Sequence, residues 1–421
     1  MNEMLLHYFW KNKIFSVIDL KTTDKRPISL IHPGYSHQDE GPDFKQAIIK
    51  IDNIIWAGDV EIHIHTSDWL RHGHQHDAKY QSVILHVVFY NDTDICPHLP
   101  TLELKSYISM QLIEEYEKLS LNPHFLPCRA EIPNFSSLQL SEWFSRLAIE
   151  RLNRKQKNIL NILQHHHGNW AETTYQLFSI AFGFRTNQAA FELLAKQLPY
   201  KYLLKHKDSQ LQIYALIFGQ AGLLEKEILE DEYYQTLQME YHYLKYKYTL
   251  TAIPEKIWNH LRLRPYNFPC IRLAQLSECL YRIPNLMDNI LHSKDIHSFT
   301  CIEKFSPNNY WRNHLHFGKI SPLHTCNIGK QSFNSIIINT LIPIRMAYST
   351  FIGDSLLQET TLYQLEKIDF EHNRITRQYE QAGFPNDNAL CSQAILELQE
   401  RYCSNRQCLR CHIGCQILKK Y

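Results

Sequence analysis

Two carboxylates and a histidine carry the first chemical hint in this chain. Asp43 stands in Gly41-Pro42-Asp43-Phe44, and Glu61 and His63 stand in Gly58-Asp59-Val60-Glu61-Ile62-His63-Ile64-His65. One or two carboxylates are the usual protein share of a Mg²⁺ site, with water and a substrate phosphate completing the shell. Asp43 and Glu61 on neighbouring strands would supply that share for Mg²⁺ or Mn²⁺. His63 lies two residues beyond Glu61, on the same strand face, where it can act as base or third ligand. Asp59 is an accessory on that face. The expected catalytic set is Asp43, Glu61 and His63.

Histidines continue past the strand in His72-Gly73-His74-Gln75-His76-Asp77. Imidazole-rich clusters suit Zn²⁺, Fe²⁺ or Mn²⁺ better than Mg²⁺. A second arrangement therefore uses His63, His65, His74 and Asp77 around a transition metal. Asp77 before Ala78-Lys79-Tyr80 also has the form of a helix N-cap.

The tail holds another ligand pattern, Cys403-x4-Cys408-x2-Cys411-x3-Cys415. Four thiolates at this spacing can close a Zn²⁺ site or an iron–sulfur cluster, with a structural role. Cys391 and Cys128 are alternative fourth ligands. In the middle of the chain, Arg262, Arg264 and Arg272 alternate with aromatics and prolines through Arg262-Leu263-Arg264-Pro265-Tyr266-Asn267-Phe268-Pro269. That mixture can contact phosphates and stack bases, or form a rigid loop between helices. The net charge of +1 gives no global attraction to nucleic acid, so binding would need a local patch.

The elements that must position these residues can be read from periodicity. Residues 1–12 form a short helix with Leu5, Leu6, Phe9 and Trp10 on one side. Strands are expected at Ile28–His32, Phe44–Ile51, Ile54–Ile64, Val83–Tyr90 and Leu102–Ile108, with Asp52-Asn53 as a two-residue hairpin turn. Strict alternation in Ile54–Ile64 puts Asp59, Glu61, His63 and His65 on one face. That face is either a metal site or a hydrated surface. From about Ser136 the texture is helical, including Leu138–Gln164 with its basic run Arg146–Lys157, and Leu362–Arg377. The expected division is an α/β domain over 1–128, a helical domain over 129–388, and a helix with the cysteine tail over 389–421. The N-terminus has no basic region before its apolar block, and Ile336–Ile344 is too short and interrupted to span a bilayer. The chain is expected to be cytoplasmic, with DNA or RNA as partner and no membrane. Its eleven cysteines are then reduced thiols.

Pro42-Asp43…Glu61-x-His63 resembles the PD-(D/E)xK nuclease motif, in which the acidic pair binds metal and the lysine helps activate water. The resemblance implies a restriction-endonuclease-like mixed sheet and a metal-dependent nuclease. It also implies a metal-ligand role for Glu3, matching a carboxylate that some members carry on an N-terminal helix. His63 in place of lysine is the departure. Some such nucleases close the chain ends around an iron–sulfur centre with an upstream cysteine, the part Cys128 would play. The other functions in view are a nucleic-acid-binding scaffold on a degenerate nuclease fold and a His/carboxylate metalloenzyme for a small molecule. Nearly end to end, the chain is also similar to a bacterial family known only as a domain of unknown function. The residues that carry this are Gly41-Pro42-Asp43-Phe44, Val60-Glu61-Ile62-His63, Ser67-Asp68-Trp69, His72-Gly73-His74, Ile84-Leu85-His86-Val87-Val88, Phe218-Gly219-Gln220-Ala221-Gly222, Arg262-Leu263-Arg264-Pro265, Asn267-Phe268-Pro269 and the tail Cys408-Leu409-x-Cys411-x-Ile413-Gly414.

Overall fold

The Asn2 side chain starts the first helix by accepting from the Leu5 amide at 2.9 Å. In this helix, α1 (Glu3–Asn12), Leu5, Leu6, Phe9 and Trp10 are buried as the periodicity requires. Glu3 and His7, four residues apart, are left together on another face. The computed structural model describes residues 1–37, 40–94, 99–283, 285–292 and 305–420. It divides into one unit of Met1–Asn134 with Gln399–Tyr421 and a second of Phe135–Leu398.

The first unit is built on a mixed sheet. Its strands are β1 (Ile28–His32), β2 (Tyr35–Ser36), β3 (Phe44–Ile51), β4 (Ile54–His65), β5 (Val83–Tyr90) and β6 (Thr101–Glu103). The order is β1-β3-β4-β5-β6, with β2 on β3. β3 and β4 are antiparallel, while β4–β5 and β5–β6 are parallel. Asp52 turns the β3–β4 hairpin at φ 51°, a left-handed conformation that aspartate tolerates better than most residues. In β5, the consecutive residues Leu85, His86, Val87, Val88 and Phe89 are buried, as in a strand covered on both faces. The strand expected at Leu102–Ile108 ends early. A 3₁₀ turn at Lys105–Tyr107 follows, flanked by the buried Leu104, whose amide still donates to Val88 at 2.8 Å, and Ile108.

Two local features set the corner beneath Glu61. The β3–β4 register slips between Phe44 and Ala47, with Gln46 at φ 59°, as in a β-bulge. Gly58 permits β5 to come close, since a Cβ there would lie 2.4 Å from Ile84 Cγ2. After β4 the chain turns through α2 (Asp68–Arg71) and 3₁₀ turns at His74–His76 and Ala78–Tyr80. α2 packs on β4, and Trp69 meets His86 of β5 at a ring distance of 5.2 Å.

The second unit is mainly helical. Ser136 and Gln139 form a capping box for the long helix Ser137–His165, whose Trp143, Leu147, Leu152 and Ile159 are buried. At Gly219 a Cβ would meet the Tyr241 ring at 2.1 Å, so this glycine lets two helices pack closely. The segment expected as one helix over Leu362–Arg377 is two, Ser355–Lys367 and Arg374–Glu380. Phe370 is buried between them, and Asn373 caps the second. The apolar stretch at Ile336–Ile344 is less interrupted than its composition suggests. A π-helical turn at Ile337–Leu341 precedes Pro343, which then falls in the first turn of the next α-helical segment and needs no amide donor. The continuous helix Lys330–Ile352 meets the length and apolarity of a membrane crossing, but its apolar window is 61% buried inside the protein, as in a core helix.

Candidate metal centre

Asp43 and Glu61 are held together by reciprocal backbone bonds. The Asp43 amide donates to Glu61 Oε2 at 3.1 Å, and the Ile62 amide donates to Asp43 Oδ2 at 3.0 Å. Each strand thus fixes the other's carboxylate. Glu61 is only 4% exposed and His63 is buried, so this part of the face predicted by alternation is covered rather than hydrated, while Asp59 is half-buried and His65 exposed. Burial, and then the nearby Asp43 charge, push the Glu61 carboxyl up to about 9.

Two imidazoles adjoin it, and a third adjoins His63. Glu61 Oε1 is 3.5 Å from His63 Nε2 and 3.3 Å from His74 Nε2. His72 Nδ1 is 3.1 Å from His63 Nε2. Among the described residues, two groups of three candidate ligands have all their ligand atoms within 4.8 Å of one another, and His63, His72 and His74 form one of them. His63 is 1% exposed, and burial followed by the surrounding His86, His72 and His74 drives it down to about 2. Burial lowers His86 to about 4 and also lowers His74. Burial thus favours the neutral form, the one that binds metal, at His63, His74 and His86.

The neighbours of these rings orient them. His63 Nδ1 lies 2.9 Å from His86 Nε2. With that bond donated by His63, its Nε2 lone pair faces Glu61 and His72, the arrangement of a metal-ligating histidine backed by a second hydrogen bond. His74 stacks on Tyr80 with centroids 3.8 Å apart. Its buried Nε2 has no hydrogen-bond partner. Converging imidazoles, a buried carboxyl and an unbonded ring nitrogen fit a divalent transition metal.

The other close group is Glu3, His7 and Asp43. His7 Nε2 is 3.3 Å from Asp43 Oδ2. Burial disfavours its charged form, but the bond and charge of Asp43 outweigh this, and the His7 pKa is raised. Burial raises Glu3, against the opposing pull of His7.

The remaining sequence candidates have other partners. Asp59 accepts from the Gln46 amide at 3.0 Å and from Ser82 Oγ at 2.7 Å, which secures the bulge. His65 is half exposed and stacks on Tyr90, 5.5 Å between centroids. Asp77 accepts from the Lys79 amide at 2.9 Å as the N-cap of the short 3₁₀ turn. Arg272 is buried over Phe184, and its guanidinium bonds Gln275, Asn267 and Ser332. Arg264 is bonded to the Tyr266 hydroxyl at 2.8 Å, and Arg262 sits at φ 60° in an exposed turn. In the basic run, Arg151 and Arg154 reach Glu397 at 3.3 and 2.6 Å, and Lys155 reaches Asn339 at 2.8 Å.

Sequence reasoning left three histidines out of the site. His7 had a signal in its spacing from Glu3. His72 had one in its alternation with His74. His86 is the single polar residue in an aliphatic run and pairs in register with Glu61.

A mixed sheet with α1 on β4 and a cluster of imidazoles and carboxylates at the Asp43–Glu61 clasp is the class of protein defined so far. A family model described as "Protein of unknown function (DUF2851)" matches residues 3–374, and the chain belongs to that family. No curated protein and no solved structure matches the chain.

Proposed function

We propose that this protein is a metal-dependent hydrolase that cleaves phosphodiester bonds in DNA or RNA, on a first unit of restriction-endonuclease type. The observation that supports this most is the clasp of Asp43 and Glu61 on paired strands, with Glu3 of α1 beside it. The imidazoles favour Mn²⁺, Fe²⁺ or Zn²⁺ over Mg²⁺. Asp43, Glu61, His63, His72 and His74 would hold the metal, which supplies Lewis-acid stabilisation of the phosphate and an acidified water. His63, driven to about 2, is a ligand rather than a base, because an efficient base titrates near the working pH. The positive charge that the motif's lysine would carry falls instead to His7, whose pKa is raised. Protonated His7 is suited to donate to a leaving oxygen.

A second reading, a metalloenzyme for a small phosphoester, is favoured by the burial of Glu61 and His63. The test is cleavage of single- and double-stranded DNA and RNA, and of a small phosphodiester, with each of Mg²⁺, Mn²⁺, Fe²⁺ and Zn²⁺. Polynucleotide cleavage that falls about 10³-fold in Glu61→Ala is the expected result. Cleavage of the small ester alone would establish the second reading. Absence of both activities in protein with metal bound would defeat the hydrolase reading.

A further inference from the structure

In the second unit, Arg272 is a buried cation whose bonded partners are all neutral. It stands near the start of the helix Pro269–Arg282 and is only 4% exposed. Its Nη1 donates to Gln275 Oε1 at 2.9 Å, and its Nη2 donates to Asn267 Oδ1 and, at 3.1 Å, to Ser332 Oγ. The guanidinium lies over the Phe184 ring, 4.3 Å from its centroid. Among the described residues no carboxylate pairs with it, and its Nε has no hydrogen-bond partner. Burial lowers Arg272 to about 10, so the group keeps its charge at neutral pH. Buried charges are ordinarily paired, because desolvation is otherwise uncompensated.

A cavity of about 380 Å³ adjoins this charge, within the size range of small-molecule sites. Arg272 lines it together with Tyr266, Gln275, Asn327, Gly329 and Ser332. Gln275 holds two of its walls together, accepting from Arg272 and donating from Nε2 to the Cys326 carbonyl at 2.8 Å.

Another wall is the first turn of the continuous helix Lys330–Ile352. Its N-cap is Gly329, which makes no side-chain cap bond. The amides of a first turn have no partner inside their helix, and the dipole places positive charge at that end. A Cβ on Gly329 would meet nothing within 4 Å, so the approach to these amides is open. Ser332 accepts from Arg272 through its oxygen and keeps its own hydroxyl proton to donate.

We infer that this cavity binds a phosphoryl group, that of a small phosphomonoester or of free phosphate, between the Arg272 guanidinium, the Ser332 hydroxyl and the first amides of the helix Lys330–Ile352. Two independent observations meet here. An uncapped N-terminus of a long helix attracts an anion. A buried guanidinium among neutral groups, with Nε unbonded, calls for one as well. A phosphoryl group fits better than a carboxylate, because its oxygens diverge toward donors on separate segments and its charge exceeds one. Amide and hydroxyl side chains around the cavity suit a polar body on the same ligand. The site belongs wholly to the second unit and stands independently of the hydrolase reading.

The test is isothermal titration calorimetry on the full chain in the presence of a chelator, with inorganic phosphate, glycerol 3-phosphate, and sodium chloride as the salt control. Phosphate or glycerol 3-phosphate should bind with a Kd of about 1 mM or below. Arg272→Gln should weaken binding by about 10- to 100-fold, whereas folded Glu61→Ala should keep it unchanged. Should Arg272→Gln fail to fold, Gly329→Asp decides the matter. Gly329 has an ordinary φ of −69° and room for a side chain, and the new carboxylate would occupy the amides and abolish binding. Tighter binding of glycerol 3-phosphate identifies a phosphomonoester as the ligand, and tighter binding of phosphate identifies the free anion. No binding of either below about 10 mM would overturn the inference. So would undiminished binding in folded Arg272→Gln or Gly329→Asp, loss of binding in Glu61→Ala, or binding only of a 5′-phosphorylated oligonucleotide.

Discussion

The two ligand groups meet at the Asp43–Glu61 clasp yet have opposite electrostatic character. On the α1 side, His7 faces Glu3 and Asp43, and its pKa is raised. On the β4 side, His63 faces His72, His74 and His86 and is driven down to about 2. His63 is buried and His7 half-buried, so desolvation alone would lower both. The difference is in the neighbours: carboxylates offset the desolvation of His7, while other imidazoles add to that of His63. Residue type therefore does not assign the roles. One half is suited to hold or donate a proton and to meet hard cations through oxygen. The other offers neutral nitrogen to softer metals.

The contrast can be tested from its strongest consequence downward. His63→Ala removes a central ring of the neutral half and should weaken Mn²⁺ or Zn²⁺ binding by about 10³-fold in isothermal titration calorimetry. A loss as large in Glu3→Gln would erase the distinction between the halves; Glu3→Gln is expected to cost about tenfold. His86→Phe keeps the candidate ligands but removes the partner that orients His63, and should weaken metal binding by about 10- to 100-fold.

Stability against pH probes the same pair without catalysis. In metal-free protein, Glu61 stays protonated up to about 9, whereas in the unfolded chain it ionises near 4.5. The folded state then binds more protons, so Glu61 makes stability fall as pH rises through that window. His63 and His86, lowered to about 2 and about 4, act in the opposite sense below pH 6.5, where the unfolded chain takes up protons that these buried rings refuse. Above pH 6.5 the Glu61 contribution falls, with a slope of at most about 1.4 kcal/mol per pH unit, which the raised His7 steepens and Lys155, lowered to about 7, opposes. Urea titrations across pH should show it, and Glu61→Gln should flatten it. The smallest effect is expected outside both halves: Asp77→Ala should cost about 1 kcal/mol of stability through the lost cap and leave metal affinity unchanged.

Much of the frame was legible in local pattern. Alternation in β4 put Glu61 and His63 on one face, the Asp52-Asn53 turn joined β3 to β4, and the long helix after Ser136 followed its apolar spacing. Asp77 as a cap was also readable, because capping is settled within a few residues.

Other facts depended on which segments meet. No period in the chain says that α2 and the turns after it cover β4, and that cover turns a face that could have been hydrated into a buried one. His7 gains its role because α1 packs on β4, and His86 gains its role because β5 lies parallel to β4 in register. Arg272 and the basic run were ambiguous in sequence because an arginine on a helix can meet a phosphate or an internal carboxylate equally well. The sequence by itself determined the inventory of ligands and the strand that carries Glu61 and His63, since side-chain direction along a strand is a local property of the backbone. Only the tertiary structure decided which of those groups are buried together and which are charged, because desolvation and Coulomb interactions depend on distances between segments remote in the chain.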